Sequence, residues 1–167
     1  TPLYSSAASD VYKRQTYDNA VEMFEKFDVF SRAELESRAE IKYEAYSKAI
    51  NIEARSMIDI ASKHIIPAVI QYVTSLANSI NQVKQASAAA YTGVQEELLV
   101  QSADLLKDTK EALRALEAVV AEVPETEGKE QAFFFMQKVV PAMEALRKPV
   151  DELEMIVNKN MWPMPSY

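Results

Sequence analysis

The stretch SRAELESRAEIKYEAYSKAINIEARSMIDIASKHIIPAVIQYV, residues 31–73, decides the fold. Ser31 and Glu34 open it as a capping box: the hydroxyl accepts from the Glu34 backbone N–H and the carboxylate reaches back to the Ser31 N–H. Apolar residues then recur at Leu35, Ala39, Tyr43, Tyr46, Ile50, Ala54, Met57, Ala61, Ile65, Ala68 and Tyr72, and on to Leu76, Ile80 and Val83. Spacings of three and four sustained this long predict one amphipathic helix. At about 1.5 Å per residue it reaches roughly 80 to 90 Å, more than a compact domain of this size is wide. Part of it is therefore expected to project or to pack on something else. Pro67 leaves the Lys63 carbonyl without its donor and predicts a bend there.

Outward from that helix the same pattern continues. YDNAVEMFEKF places Val21, Phe24 and Phe27 on one face and predicts a short helix from about Tyr17 to Phe27, with Asp18 in capping position. SAAAYTG (87–93) ends the long helix, and a third runs from Val94 through Leu98, Leu105, Leu113, Leu116 and Val120. PETEG (124–128) is a turn. After it Met136, Met143, Val150 and Val157 repeat every seven residues, interleaved with Val139, Leu146 and Leu153, the pattern of a packing seam. Pro141 and Pro149 interrupt this last helix and predict bends or a split. The fold class read from these stripes is all-α: an antiparallel helical bundle with very long helices, three long and one short and N-terminal. No internal repeat is expected after residue 16.

Composition excludes several functions. The chain of 167 residues is 49% hydrophobic and 26% charged, ordinary globular usage. Two glycines leave little room for tight hairpins. A net charge of −7 argues against nucleic-acid partners, whose binding draws on Lys and Arg displacing phosphate counterions. No apolar run is long enough for a membrane span, so no membrane partner is expected. The absence of cysteine fits a reducing, cytoplasmic location. The first stretch, TPLYSSAASDVYKRQ (1–15), shares no periodicity with the rest and is set aside as a non-native or disordered tail. Its piece SSAASDVYKRQ resembles translated sequencing-adapter tails. Residues 16–167 are then expected to form a single helical domain.

Candidate sites are few. His64 is the only histidine, and a di-metal bundle site would need carboxylates three or four residues away on its face. Ile60, Ala61, Pro67 and Ala68 stand there instead, so His64 is read as a structural residue beside a bend. Glu36, Glu40 and Glu44 follow one another at i, i+4 and could hold a cation, although Glu34 with Arg38 and Glu44 with Lys48 predict a solvated, ion-paired face. No nucleotide loop or nucleophile elbow is present. Catalytic, cofactor and metal residues are therefore expected to be none. The best candidate for contact with another domain or subunit is the group Phe133, Phe134, Phe135, Met161 and Trp162, because clustered aromatic and methionine side chains call for cover.

Taken as text, VEMFEKFDVFSRAELESRAEIKYEAYSKAINIEARSMIDIASKHIIPAVIQYVTSLANSINQVKQ, KEQAFFF, KVVPAMEALRKPVDELEMIV and the closing MWPMPSY resemble the C-terminal helical region of bacterial type III glutamine synthetase, over residues 19–167. The family carries glycine where Asp28 stands. The resemblance implies a parent enzyme that joins ammonia to glutamate using ATP and Mg or Mn within a homo-oligomer. It also implies that this region is structural, with the missing catalytic domain and neighbouring subunits as its partners and no cofactor of its own. The alternative is a free-standing helical module that binds a partner helix or a divalent metal.

Overall fold

A computed structural model describes residues 18–165. The segment set aside at 1–15 lies outside the described residues. Among the described residues six α-helices follow in order: α1 Asp18–Lys26, α2 Arg32–Ile60, α3 Ile66–Ala86, α4 Gly93–Ala121, α5 Lys129–Phe134 and α6 Val140–Ile156. Two π-helical turns, Ala61–Ile65 and Phe135–Val139, join α2 to α3 and α5 to α6 without a break. The described chain is all-α and contains no strand. The long helix expected from residue 31 is thus present from Arg32 to Ala86, widened at one turn.

The chain divides into two compact units. The first comprises residues 18–54 and Val119–Pro141. Its α1 ends in a Schellman motif: the Val29 N–H donates to the Phe24 carbonyl at 3.0 Å and the Asp28 N–H to the Glu25 carbonyl at 3.1 Å. That motif puts Asp28 in the left-handed region at φ 50°, a conformation that favours glycine. Asp28→Gly is expected to stabilise the protein by about 0.5–1 kcal/mol, because glycine adopts this conformation without the Cβ penalty; urea titration of both proteins checks it. Phe27, expected on the buried face, is instead 69% exposed, because the helix stops at Lys26 and the motif turns the chain outward.

The capping box forms as expected. The Glu34 N–H donates to Ser31 Oγ at 3.3 Å, and the Ser31 N–H donates to Glu34 Oε2 at 2.8 Å. Arg32 ties the preceding turn down, its backbone N–H donating to Glu25 Oε1 at 3.1 Å and its guanidinium to Asp18 Oδ1 at 2.9 Å. Buried residues on α2 follow the periodicity at Leu35, Ala39, Tyr43, Ile50 and Ala54. Ala39, Tyr43 and Ala132 form one cluster with Tyr46 packed against it, and the Tyr43 and Phe133 rings meet at 6.4 Å between centroids. Gly128 starts α5 at φ 98°, a conformation open to glycine.

The second unit comprises Arg55–Ala118 and residues 142–165. Its main cluster joins Ile65, Val69 and Tyr72 to Leu153, Val157 and Trp162, with Leu105 and Leu106 against it. Of the heptad series, Val139, Leu146 and Leu153 are wholly buried and Val157 is buried, while Met136, Met143 and Val150 sit half-buried. On α4, Leu113 and Leu116 are buried as the stripe predicts, and so are Ser102 and Thr109, both 0% exposed, which it does not predict. These hydroxyls donate to the Leu98 and Leu105 carbonyls at 2.6 and 2.7 Å, so each is satisfied within its own helix.

Both in-helix prolines preceded by a β-branched pair, Pro67 and Pro141, follow a π-helical turn. Pro149 does not: it is buried inside an α6 that runs on to Ile156, so the helix does not split there.

Candidate functional site

His64 lies within the π-helical turn before Pro67, with its side chain exposed. The turn is wider than an α-turn because the Ile66 N–H donates to the Ala61 carbonyl five residues back. Beside it Lys63 pairs with Asp59, and the Ser62 hydroxyl donates to the Asp59 carbonyl at 3.2 Å. Asp59, the carboxylate nearest His64 in sequence, is thereby engaged with its own helix. Among the described residues no three His, Cys, Asp or Glu side chains converge as a metal-holding group.

The glutamate row of α2 is divided between neighbours. Glu36 stands 4.0 Å from Arg32, and Glu44 pairs with Lys48 as expected. The expected Glu34–Arg38 pair gives way to other contacts. Glu34 is taken by the cap, and the Arg38 guanidinium lies 4.4 Å from the centroid of the Phe30 ring, a cation–π contact. The Ser31 backbone N–H, then its hydroxyl, hold the Glu34 carboxyl below the usual carboxylate range.

A second polar tie fastens the start of α4. Glu96 accepts from Lys84 Nζ at 2.5 Å and from Thr92 Oγ1 at 2.7 Å. Lys84 first, and Thr92 after it, hold the Glu96 carboxyl below its usual range. A carboxyl with a depressed folded pKa adds stability that is fully present above its unfolded pKa and is lost as pH falls through the folded one. Stability is therefore expected to hold down to the usual carboxylate range and to fall below it. Glu96→Gln is expected to shrink the acid-side loss, as read from melting temperatures at neutral pH and at successively lower values.

The proposed contact group is partly covered within the chain itself. Phe135 is 1% exposed and Trp162 is 8% exposed, both in core positions. Phe133, Phe134 and Met161 are half-buried. Trp162 is seated by a turn in which its N–H donates to the Asn158 carbonyl at 3.1 Å and the Asn160 N–H to Asn158 Oδ1 at 2.9 Å. Among the described residues, three buried side-chain polar atoms have no hydrogen-bond partner, Tyr46 Oη, Ser47 Oγ and Trp162 Nε1, and no sequence pattern marks them. Burial pushes the Tyr46 phenol above its usual range, and the charge of Glu53 adds to the effect.

Open apolar surface lies elsewhere. On α2, Ile41 and Ile52 are 60% and 66% exposed, and their separation of three turns puts them on one face, away from Tyr43 and Ile50. On α3 a shallow groove runs from Ile70 to Gln82, lined by neutral polar side chains such as Thr74, Ser75 and Asn78. No helix among the described residues is long and apolar enough to cross a membrane.

Comparison with known proteins places these surfaces in context. A family model described as the glutamine synthetase C-terminal domain matches residues 4–84. A type-3 glutamine synthetase of Dictyostelium discoideum is 33% identical over 157 residues, covering 88% of this chain and 21% of its own. A glutamine synthetase of Bacteroides fragilis is 30% identical over 150 residues, covering 83% of this chain and 20% of its own. One of Butyrivibrio fibrisolvens is 29% identical over 161 residues, with coverages of 90% and 22%. The chain spans about a fifth of the length of the curated relatives it matches.

Proposed function

Because the chain belongs to the glutamine synthetase C-terminal domain family, we propose that it is the architectural helical region of a type III glutamine synthetase. In this reading it braces the catalytic part of the subunit or its contacts with neighbouring subunits, and it does not ligate ammonia to glutamate by itself. ATP and Mg or Mn belong to the parent enzyme. Residues 16–167 act as one domain of that enzyme, in the cytoplasm, with the longer helices packed antiparallel through the short links at 87–92 and 122–128.

The observation that carries this reading is the division of labour on the helices. Fully buried side chains such as Leu113, Leu116, Leu146 and Leu153 form the inner faces, where each buried leucine contributes about 1.5–3 kcal/mol. The carboxylates with depressed pKa values, Glu34 and Glu96, serve helix starts. Surface open to a neighbour includes the half-buried Phe133, Phe134 and Met161 and exposed side chains such as Ile41 and Ile52.

The test is direct. The purified chain is expected to give a helical circular-dichroism spectrum and no glutamine from glutamate, ammonium, ATP and magnesium. Turnover above a protein-free control would overturn the reading. Magnesium or manganese alone is expected to leave the melting temperature unchanged, since only a ligand bound to the folded form raises it. A rise abolished by Glu40→Gln would favour the metal-binding module instead.

A further inference from the structure

The two π-helical turns are made from matching sequence. ASKHIIPAV (61–69) and FMQKVVPAM (135–143) both run basic residue, β-branched pair, proline, alanine. Burial follows the same phase in each. Ala61 and Phe135, Ile65 and Val139, and further on Tyr72 and Leu146, are buried. Lys63 and Gln137, and His64 and Lys138, are exposed. The two stretches share few identical residues and are matched by backbone conformation.

In both copies the last N–H before the proline reaches back five residues, Ile66 to the Ala61 carbonyl and Val140 to the Phe135 carbonyl. An α-helix would reach back four. A proline by itself does not require this, since Pro149 sits in α6 with no wide turn before it.

A π-turn amounts to one surplus residue in an α-helix. It migrates along the helix when successive N–H groups switch from the fourth to the fifth carbonyl behind them. Proline has no N–H to give in either register, so what holds the turn is steric. A widened turn just before the proline relieves the clash of its ring with the carbonyl four residues back, Lys63 for Pro67 and Gln137 for Pro141, and a surplus residue that slid past the proline would restore that clash. We propose that the chain carries a duplicated, pinned π-turn, in which Pro67 and Pro141 hold a surplus residue in place and so fix the phase of the buried face that follows. Beyond the first pin that face is Val69 and Tyr72, packed with Leu153, Val157 and Trp162. Beyond the second it is Leu146, 1% exposed. A surplus residue that slid past these positions would turn them by about 100°, away from their cores.

Amide hydrogen exchange on the whole chain tests the pins one at a time, with protection measured relative to the α4 amides so that a global loss of stability cancels. In Pro67→Ala the amides of residues 68–72 are expected to exchange roughly tenfold faster, and emission from the only tryptophan, Trp162, to shift to longer wavelength. In Pro141→Ala the same gain is expected at 142–146. Pro149→Ala is expected to leave 142–146 as protected as before. Unchanged protection after both pins are removed would overturn the proposal, because packing alone would then be holding the turns. So would a Pro149→Ala variant that loosens 142–146 as Pro141→Ala does. The pins are independent, so if one variant does not fold the other decides.

Discussion

Phe135→Ala is expected to lower the unfolding free energy by about 3–5 kcal/mol, measured by urea titration followed by circular dichroism. Phe135 is the largest of the fully buried side chains, at 1% exposure. It also begins the π-helical turn that Pro141 closes. Truncation removes the transfer free energy of the ring and leaves a void, and the second part depends on how far the surroundings can collapse. A helix whose turn is widened and backed by proline has little freedom to close on an empty space, so the full cost of a buried phenylalanine is expected. Phe133→Ala, at a half-buried neighbouring position, is the comparison, and a smaller loss is expected there. Equal losses at the two sites would mean that the ring at 133 is covered as deeply as the one at 135.

Leu153→Ala is expected to cost about 2–5 kcal/mol, in the unit that contains Trp162. Leu153 is 0% exposed and shares its cluster with Trp162, Val69 and Tyr72. The indole is thus a built-in reporter, and its emission is expected to shift in the folded variant before any denaturant is added. Met155, two residues on and 84% exposed, provides the control. Met155→Ala is expected to stay within about 0.5 kcal/mol of the parent, as surface changes generally do. A Leu153→Ala protein as stable as the Met155→Ala one would remove the heptad seam as a source of stability.

Much of the fold was legible because helices announce themselves locally. Ser31 and Glu34 sit at the spacing a capping box needs, and both hydrogen bonds form. The stripe from Leu35 to Tyr72 predicted which side of α2 and α3 is covered. Other features depend on what lies across from a residue. Ser102 and Thr109 read as polar breaks in a stripe, yet both are interior, because each hydroxyl finds an acceptor one turn back. Arg38 was expected beside Glu34 but lies over Phe30, a ring that only the turn between α1 and α2 brings within reach. The π-turns were half legible: proline announced a disturbance at 67 and 141, but not that the helix would answer by widening. Among candidate sites, His64 was read as structural and is found in that widened turn. The aromatic group could not be ranked from sequence, since FFF gives each ring a different direction and only packing shows that Phe135 is the one turned inward.

The two inward hydroxyls of α4 have a consequence for specificity. A buried side chain that needs a partner from the opposite helix acts as a key, since a neighbour in the wrong register leaves it unsatisfied. Ser102 and Thr109 make no such demand, because their protons are spent on their own backbone. The α4 seam around them therefore discriminates by shape alone. At these two positions sliding by one heptad would be opposed by steric mismatch and not by a lost polar match, so alignment along this helix rests on bulk there and on the Lys84–Glu96–Thr92 clasp at its beginning.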